Sequence, residues 1–287
     1  MKRILCMVMV LALTLMAVAC GVSAIEQADK PADIPTVEPK TVDEPAIEPE
    51  PLDAPKIVVF TDEVLEEMVR AQMNKPEGDI TIAEAEAVES LDLKEQAPDS
   101  PSPRIKDISA LEYFKNLKWL DLSYQNIEDL SPIAGLTQLE VLQIWGAGSI
   151  RDFSALSNLN NMLDLTIADG GGINFTNTDM QNLAGMTNII MIWIKGAKSL
   201  DDISAVANFK NLHRLIVDDG GVSDLGPVAD ITTLEHIDIR GSKVSDISPL
   251  KSLVNLKQLF LEGCPITDYS PLKDIYSNLE NKDFDLK

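Results

Sequence analysis

Few residues of this chain have the types that catalyse reactions. It carries only two histidines and three cysteines beside 46 acidic residues. The sequence has no Gly-x-Ser-x-Gly elbow, no His-Glu-x-x-His pair and no phosphate-cradling Gly-Lys-Ser loop. We therefore predict that the protein is not an enzyme.

Metal ligands are equally sparse. His213 and His236 could approach each other on neighbouring strands, but zinc sites use three or four protein ligands. Calcium could be held at Asp201-Asp202 or Asp218-Asp219, although an acidic surface offers such pairs by chance. We predict no metal and no cofactor, and interpret both histidines as surface residues.

The charge balance excludes whole classes of partner. The formal net charge is −22. Nucleic acid binding needs a basic stripe that neutralises phosphates, and no segment of this chain has one. A polybasic attachment to anionic lipid is excluded for the same reason.

The N-terminus has the composition of an export signal. Lys2-Arg3 precedes an apolar stretch at residues 4–19, shorter than the roughly 20 residues of a membrane span. Ala17-Val18-Ala19-Cys20 resembles a bacterial lipobox, in which the cysteine is lipidated and begins the mature chain. We predict a signal peptide at residues 1–19 and an extracytoplasmic lipoprotein anchored through Cys20 at the bacterial cell surface. Secretion without lipidation is the alternative.

A tether is predicted at residues 20–56. The segment repeats Pro and Glu, as in Glu48-Pro49-Glu50-Pro51, and has few large apolar residues to bury. Proline favours the polyproline II conformation at about 3.1 Å per residue, so the tether reaches on the order of 100 Å.

Residues 57–103 are predicted to form a helical cap and the first strand. Asp62 can cap a helix that ends at Lys75-Pro76-Glu77-Gly78, and Thr81-Ile82-Ala83-Glu84 has the capping-box spacing of a second helix. The strand is Leu91-Asp92-Leu93, before a polar loop at 97–103. The apolar residues of the first helix have helical spacing: Val64, Leu65, Met68, Val69 and Met73.

An internal repeat dominates residues 104–287. One signature is Asp-Ile-Ser-Pro-Leu or a variant, beginning at Asp107, Asp129, Asp152, Asp179, Asp202, Asp224, Asp246 and Asp268. The second, in fixed phase with it, is an apolar-x-apolar strand: Leu120/Leu122, Leu142/Ile144, Leu165/Ile167, Ile192/Ile194, Leu215/Val217, Ile237/Ile239 and Leu259/Leu261. A period in the low twenties is typical of leucine-rich repeats.

The spacing predicts how each repeat folds. One short strand and one return segment point apolar residues inward from opposite sides, so stacking creates a continuous core. Returns with Pro at positions 132, 227, 249 and 271 are too short for α-helices and favour 3₁₀-like turns. The repeating Asp is interpreted as a turn cap. The predicted fold is an α/β solenoid with a curved parallel sheet, and its inward return residues are Leu111, Ile133, Leu156, Leu250 and Leu272.

The repeat resembles that of the internalins, Leu-x-x-Leu-x-Leu-x-x-Asn-x-Ile-x-Asp-Ile-x-Pro-Leu, best at residues 234–272. The cap segment at residues 75–81 is also similar, and the resemblance implies a ligand-binding concave face. Residues 169–175 depart from the pattern as an inserted loop. The asparagine whose side chain bonds neighbouring backbone in the family's repeats is also replaced, which predicts a weaker interior ladder. The replacing residues are Gln125, Gly220, Ser242 and Cys264.

No disulfide framework is expected. Cys6 lies in the predicted signal peptide and Cys20 would carry lipid, so only Cys264 remains in the folded part. Its ladder position favours a buried structural thiol over a reactive one.

The aromatic residues give the clearest indication of function. Strand positions beside the inward residues point to the concave face, and all three tryptophans occupy them. Large apolar groups clustered on one face mark an interaction surface. We predict a monomeric recognition module that binds a protein, with carbohydrate binding as the alternative, since tryptophans also stack on sugars. The predicted ligand-binding residues are Trp119, Trp145, Met191, Trp193, Ile216 and Phe260.

Replacing Cys20 by Ser should abolish membrane anchoring, because serine cannot form the thioether to lipid. We expect the variant to leave the detergent phase in a phase-separation assay, while the Cys6→Ser control partitions like wild type. Unchanged partitioning of Cys20→Ser would place the anchor elsewhere.

Overall fold

Two short helices precede a parallel sheet in the computed structural model, which describes residues 56–95 and 101–286. The predicted signal peptide, Cys20 and all but the last residue of the predicted tether lie outside the described residues. The helices are α1 (Glu63–Met73), α2 (Ile82–Glu86) and, within the repeats, α3 (Asn177–Asn182). The strands are β1 (Ser90–Asp92), β2 (Trp119–Asp121), β3 (Val141–Trp145), β4 (Asp164–Ala168), β5 (Met191–Lys195), β6 (Arg214–Asp218), β7 (His236–Asp238), β8 (Gln258–Phe260) and β9 (Asn281–Lys282).

The strands form one nine-stranded sheet in which each pairs in parallel with the next along the chain. Equivalent inward residues face each other across the pairs from β2 to β8, so they form a fully buried column: Leu120, Leu142, Leu165, Ile192, Leu215, Ile237 and Leu259. Each such side chain contributes roughly 1.5–3 kcal/mol by its burial. This arrangement confirms the predicted leucine-rich-repeat solenoid.

The return segments are 3₁₀ turns, as predicted, except in the longest repeat. There α3 replaces the first turn, so the expectation that every return is too short for an α-helix is wrong. The five or so extra residues leave room for a helical turn, and Thr176 and Asp179 close a capping box at its start.

The repeating aspartates cap the turns in seven of the eight repeats. Each accepts a hydrogen bond through Oδ1 from the backbone N–H two residues later, and for Asp152 this bond from Ser154 lowers the carboxyl pKa. Asp179 is the exception, because its carboxylate accepts from Thr176 at the start of α3.

The insertion at residues 169–175 is only partly a loop. Its second half enters the core, where Ile173 and Phe175 are buried and the Phe175 ring lies 5.2 Å from that of Phe153. The first half packs closely on the turn that contains Gly196. A Cβ atom at Gly196 would lie 2.5 Å from the carbonyl oxygen of Asp169, and the φ of Gly196 is +81°, so this position requires glycine.

Three of the four residues that replace the ladder asparagine, Gln125, Ser242 and Cys264, still make side-chain contacts along the interior ladder. Gln125 reaches both the Leu93 carbonyl and the Ile105 N–H, and Cys264 Sγ donates to the Ile239 carbonyl and contacts Ser242 Oγ, both at 3.2 Å. At Gly220 the side chain is missing, but the next N–H, of Gly221, bonds directly to the Leu200 carbonyl.

One carboxylate of the cap bonds both to its own helix and to the first repeat. Asp62 Oδ1 accepts from the N–H groups of Val64 and Leu65 at the start of α1, as the sequence predicts. Its Oδ2 accepts from the N–H groups of Lys106 and Asp107, at 2.8 and 3.1 Å. Partial burial acts to raise the pKa of Asp62, but the four backbone N–H groups outweigh it and the pKa is lowered.

Within residues 56–95 and 101–286, no helix is both long enough and apolar enough to span a bilayer.

Replacing Asp62 by Ala should destabilise the protein by about 2 kcal/mol, because a helix cap and two further N–H partners are lost. The lowered pKa means that the charge-dependent part of the wild-type advantage is fully present above the unfolded pKa near 4 and is lost as pH falls from there through the lower folded pKa. Urea unfolding at pH 7 and pH 3 measures both effects. The neighbouring exposed Glu63→Ala is the control, and a similar loss in both variants would contradict the role given to Asp62.

Candidate functional site

The face of the sheet that points away from the core is called here the outer face. Its side chains form three rows across the strands. The first row is Trp119, Val141, Asp164, Met191, Arg214, His236 and Gln258. The middle row is Asp121, Gln143, Thr166, Trp193, Ile216, Asp238 and Phe260. The third row contains Trp145, Ala168, Lys195 and Asp218.

Two of the tryptophans meet over strand β4. Trp145 on β3 and Trp193 on β5 have ring centroids 4.7 Å apart with an interplanar angle of 80°. Strand β4 lies between them and presents the small residues Thr166 and Ala168, which are buried. Small side chains at these positions let both rings lean inward until they touch. This indole pair is half-exposed and forms the largest aromatic feature of the outer face.

Polar atoms without partners lie beside the indole pair. The Trp193 Nε1–H donor and the Asp164 Oδ1 acceptor are both buried, and neither has a hydrogen-bond partner among the described residues. Burial raises the pKa of Asp164 to about 6, although the charge of Arg214 acts to lower it. Most buried polar groups in proteins are paired. Asp164 and Trp193 occupy diagonal positions on the adjacent strands β4 and β5. The other buried side-chain atoms without partners among the described residues are Asp218 Oδ1 and both ring nitrogens of His236.

Two basic residues near the outer face pair with aspartates of the protein. Lys195 Nζ lies 2.5 Å from Asp218 Oδ2, and this hydrogen bond raises the lysine pKa. Arg240 makes a bidentate contact with Asp238, with Nη2 2.5 Å from Oδ2.

Phe260 belongs to a second cluster. The guanidinium carbon of Arg240 lies 5.2 Å from the Phe260 ring centroid, and the His236 ring packs against its edge at 5.5 Å. Phe260 is three strands from Trp193, about 14 Å at ordinary strand spacing. Ile216 and Asp238 lie between them in the middle row, so Trp193 and Phe260 do not form one aromatic cluster.

The remaining predicted ligand residues differ in exposure. Trp119 and Met191 are half-buried on the outer face. Ile216 is only 3% exposed, so the expectation that it is an exposed anchor is wrong. Its neighbours in the middle row are the Trp193 indole and the Asp238 carboxylate. The β-branched side chain of Ile216 is too short to reach past them and is therefore covered.

The sequence predicted that both histidines are surface residues, and this is wrong for His236. His236 is 8% exposed, and burial lowers its pKa, with the charges of Arg214 and Arg240 acting in the same direction. His213 is exposed, with Nδ1 3.9 Å from a carboxylate oxygen of Glu235.

The acidic pairs considered for calcium have protein partners. Asp218 and Asp219 both approach Lys195, and Asp202 caps its turn while Asp201 accepts from the Asn177 amide. Among the described residues, no three His, Cys, Asp or Glu side chains are grouped to hold a metal. Cys264 is half-buried, and burial raises its thiol pKa.

Sequence reasoning missed Asp164 and Arg214. Both lie one residue before an inward leucine, the same position that identified Trp119, so strand alternation could have found them. The missing information was burial, because a sequence does not reveal that the space around Asp164 is closed by residues of other repeats.

The sequence matches the family described as Leucine Rich repeats (2 copies) at residues 115–161 and 232–274. The fold is similar to the crystal structure of internalin C2 from Listeria monocytogenes, with 27% sequence identity and a TM-score of 0.69. That similarity covers 82% of this chain and 99% of the other. The chain is an internalin-type leucine-rich-repeat protein.

A second internalin of Listeria monocytogenes, inlF, is 25% identical over 79% of this chain and 77% of its own, with a TM-score of 0.50. The plant peptide hormone receptor RGFR1, in complex with RGF2, shares the fold alone, at 16% identity and a TM-score of 0.52, over 69% of this chain and 32% of the receptor. No curated protein matches the sequence significantly.

Replacing Asp164 by Asn should stabilise this internalin-type protein at neutral pH. The folded pKa of about 6 exceeds the model value of 3.8, so the folded state binds a proton that the unfolded state releases between these values. The penalty on folding therefore grows as pH rises from about 4 to about 6 and is on the order of 2 kcal/mol above that range, whereas below the model value the carboxyl is mostly neutral in both states and the penalty is small.

Urea unfolding should show Asp164→Asn to be more stable than wild type at pH 7.5 and equal to it at pH 3.5. Asp246→Asn removes the same charge from a turn cap and should bring no stabilisation. If Asp164→Asn changed the free energy of unfolding equally at both pH values, the pKa of Asp164 would not be raised by burial.

Proposed function

We propose that this protein is a cell-surface recognition module that binds another protein through the outer face of its sheet. The observation that carries the proposal is the indole pair, with its unpaired Trp193 donor and Asp164 acceptor beside it. Tryptophans are enriched among the residues that dominate binding energy at protein interfaces. Buried polar groups without internal partners are expected where an external partner supplies them.

The internalin type is the second support. Leucine-rich repeats stack into a solenoid whose sheet offers a long surface, and this surface is the usual binding face of such folds. The similarity to internalins extends over most of this chain, so the surface compared is nearly the whole sheet.

Membrane anchoring is a further part of the proposal. Lipid on Cys20 would hold the protein at the bacterial surface, and the Pro/Glu segment at residues 20–56 would carry the sheet away from the bilayer. We propose domain limits of 57–103 for the cap and 104–287 for the repeats.

A protein ligand fits the outer face better than a carbohydrate. A sugar stacks on a broad aromatic platform, and two indoles that stand at 80° to each other do not form one. Enzymatic chemistry has no support on this face either, because Lys195–Asp218 and Arg240–Asp238 pair with each other and do not converge on a reacting centre.

Trp193→Ala should weaken binding of the protein partner by about 30-fold or more, and Trp145→Ala by a similar factor, if the indole pair is the anchor. The full-length protein in detergent is first screened against protein and glycan arrays, and the variants are then measured by surface plasmon resonance on the array hit. Phe260→Ala should have a smaller effect, because that ring is already engaged by Arg240.

Two controls separate binding from stability. Val254→Ala removes an exposed apolar side chain from a return segment and should leave affinity unchanged. Leu259→Ala removes an inward residue and should cost about 2–5 kcal/mol of stability. Normal binding by both tryptophan variants, or hits confined to glycans, would contradict the proposal.

A further inference from the structure

Within the proposed function, we infer that the partner presents an arginine or lysine side chain to Asp164 and the indole pair, together with a backbone carbonyl to Trp193 Nε1. The partner would thus be a protein segment with a basic residue at its centre. The inference depends on three features of the outer face: an unpaired carboxylate, an unpaired donor and two indole rings.

The carboxylate requires a cation. Asp164 Oδ1 is buried without a donor, yet the group is ionised in most molecules at neutral pH because its pKa is about 6. A buried charge without a hydrogen bond is costly, and an incoming N–H donor with positive charge removes that cost on binding. Neutral and acidic ligands do not compensate the carboxylate in this way.

The protein does not supply this cation itself. Asp164 faces Val141 on β3 and Met191 on β5, both uncharged, and the charged groups on the strands beyond are Arg214 on β6 and His236 on β7. Among the described residues, Arg214 makes no ion pair within 4 Å, and His236 is buried with a lowered pKa. Lys195, also on β5, is paired with Asp218.

The indole pair favours the same kind of side chain. A guanidinium or ammonium group is attracted to the face of a tryptophan ring, most strongly when both are desolvated. Arginine adds planar N–H groups that can contact a carboxylate and stack on a ring at once.

The Trp193 donor distinguishes a peptide from a free cation. An indole N–H is a hydrogen-bond donor and needs an acceptor. Arginine and lysine side chains are also donors only, so they cannot accept the bond from Trp193 Nε1. The backbone carbonyl of the same partner segment can accept this bond. Binding must uncover the two enclosed atoms, and the unbranched side chain of Met191, the neighbour of Asp164 on β5, can move aside to do so.

The test uses the three indole N–H signals in a ¹⁵N–¹H NMR spectrum of the full-length protein in detergent. Acetyl-arginine methylamide is the probe, because it combines a guanidinium with backbone carbonyls. Acetyl-citrulline methylamide has the same shape without the charge, and N-acetylglucosamine tests a sugar. We expect the arginine probe to shift the Trp193 signal and the other two ligands to shift it far less.

Asp164→Asn should weaken the arginine response about tenfold or more, as loss of a charge-assisted hydrogen bond predicts. This variant is expected to be more stable than wild type at neutral pH, so misfolding cannot explain the loss. Asp246→Asn, which removes the same charge from a return segment, should respond like wild type.

An equal response to citrulline, an unchanged response of Asp164→Asn, or an unmoved Trp193 signal would overturn the inference. If a protein on the array still binds in that case, the proposed function holds, but the partner is not recognised through an arginine or lysine side chain. A response to N-acetylglucosamine alone would overturn both.

Discussion

Parallel pairing of each strand with the one before it, in a fixed register, is the constraint on which the rest of the structure depends. A single repeat has two inward apolar residues on its strand and one on its return, too few to close a core. Register brings Leu142 against Leu120 on one side and Leu165 on the other, so the apolar column is continuous and fully buried. The Asp turn caps and the interior ladder stabilise the returns that maintain this register.

The same register determines the outer face. Because side chains alternate along a strand, alignment of the inward leucines also aligns the residues between them in rows. On β4 the row positions hold threonine and alanine, and the space above them accepts the indoles of the two flanking strands. The contact between Trp145 and Trp193 is therefore a consequence of small residues on the strand that separates them.

Charged groups on the outer face fall into two kinds. Lys195 with Asp218, and Arg240 with Asp238, compensate each other and stabilise the sheet surface. Burial raises the pKa of Asp164, and no donor bonds to its Oδ1. The ionised carboxylate therefore lowers the stability of the free protein at neutral pH. A group that opposes folding in this way is explained most simply by an interaction outside the chain, and its position beside the indole pair connects the two features.

The sequence by itself determined the repeat, the inward columns, the cap helix at Asp62 and the outward direction of the tryptophans, because these follow from spacing and from local hydrogen bonds. Only the tertiary structure decided which outward residues touch. Ile216 is covered, Phe260 is engaged by Arg240, His236 is buried, and Phe175 leaves the predicted loop for the core. Asp164 illustrates the reason: its own neighbours in sequence are ordinary, and its raised pKa arises from side chains on strands far along the chain that the fold places around it.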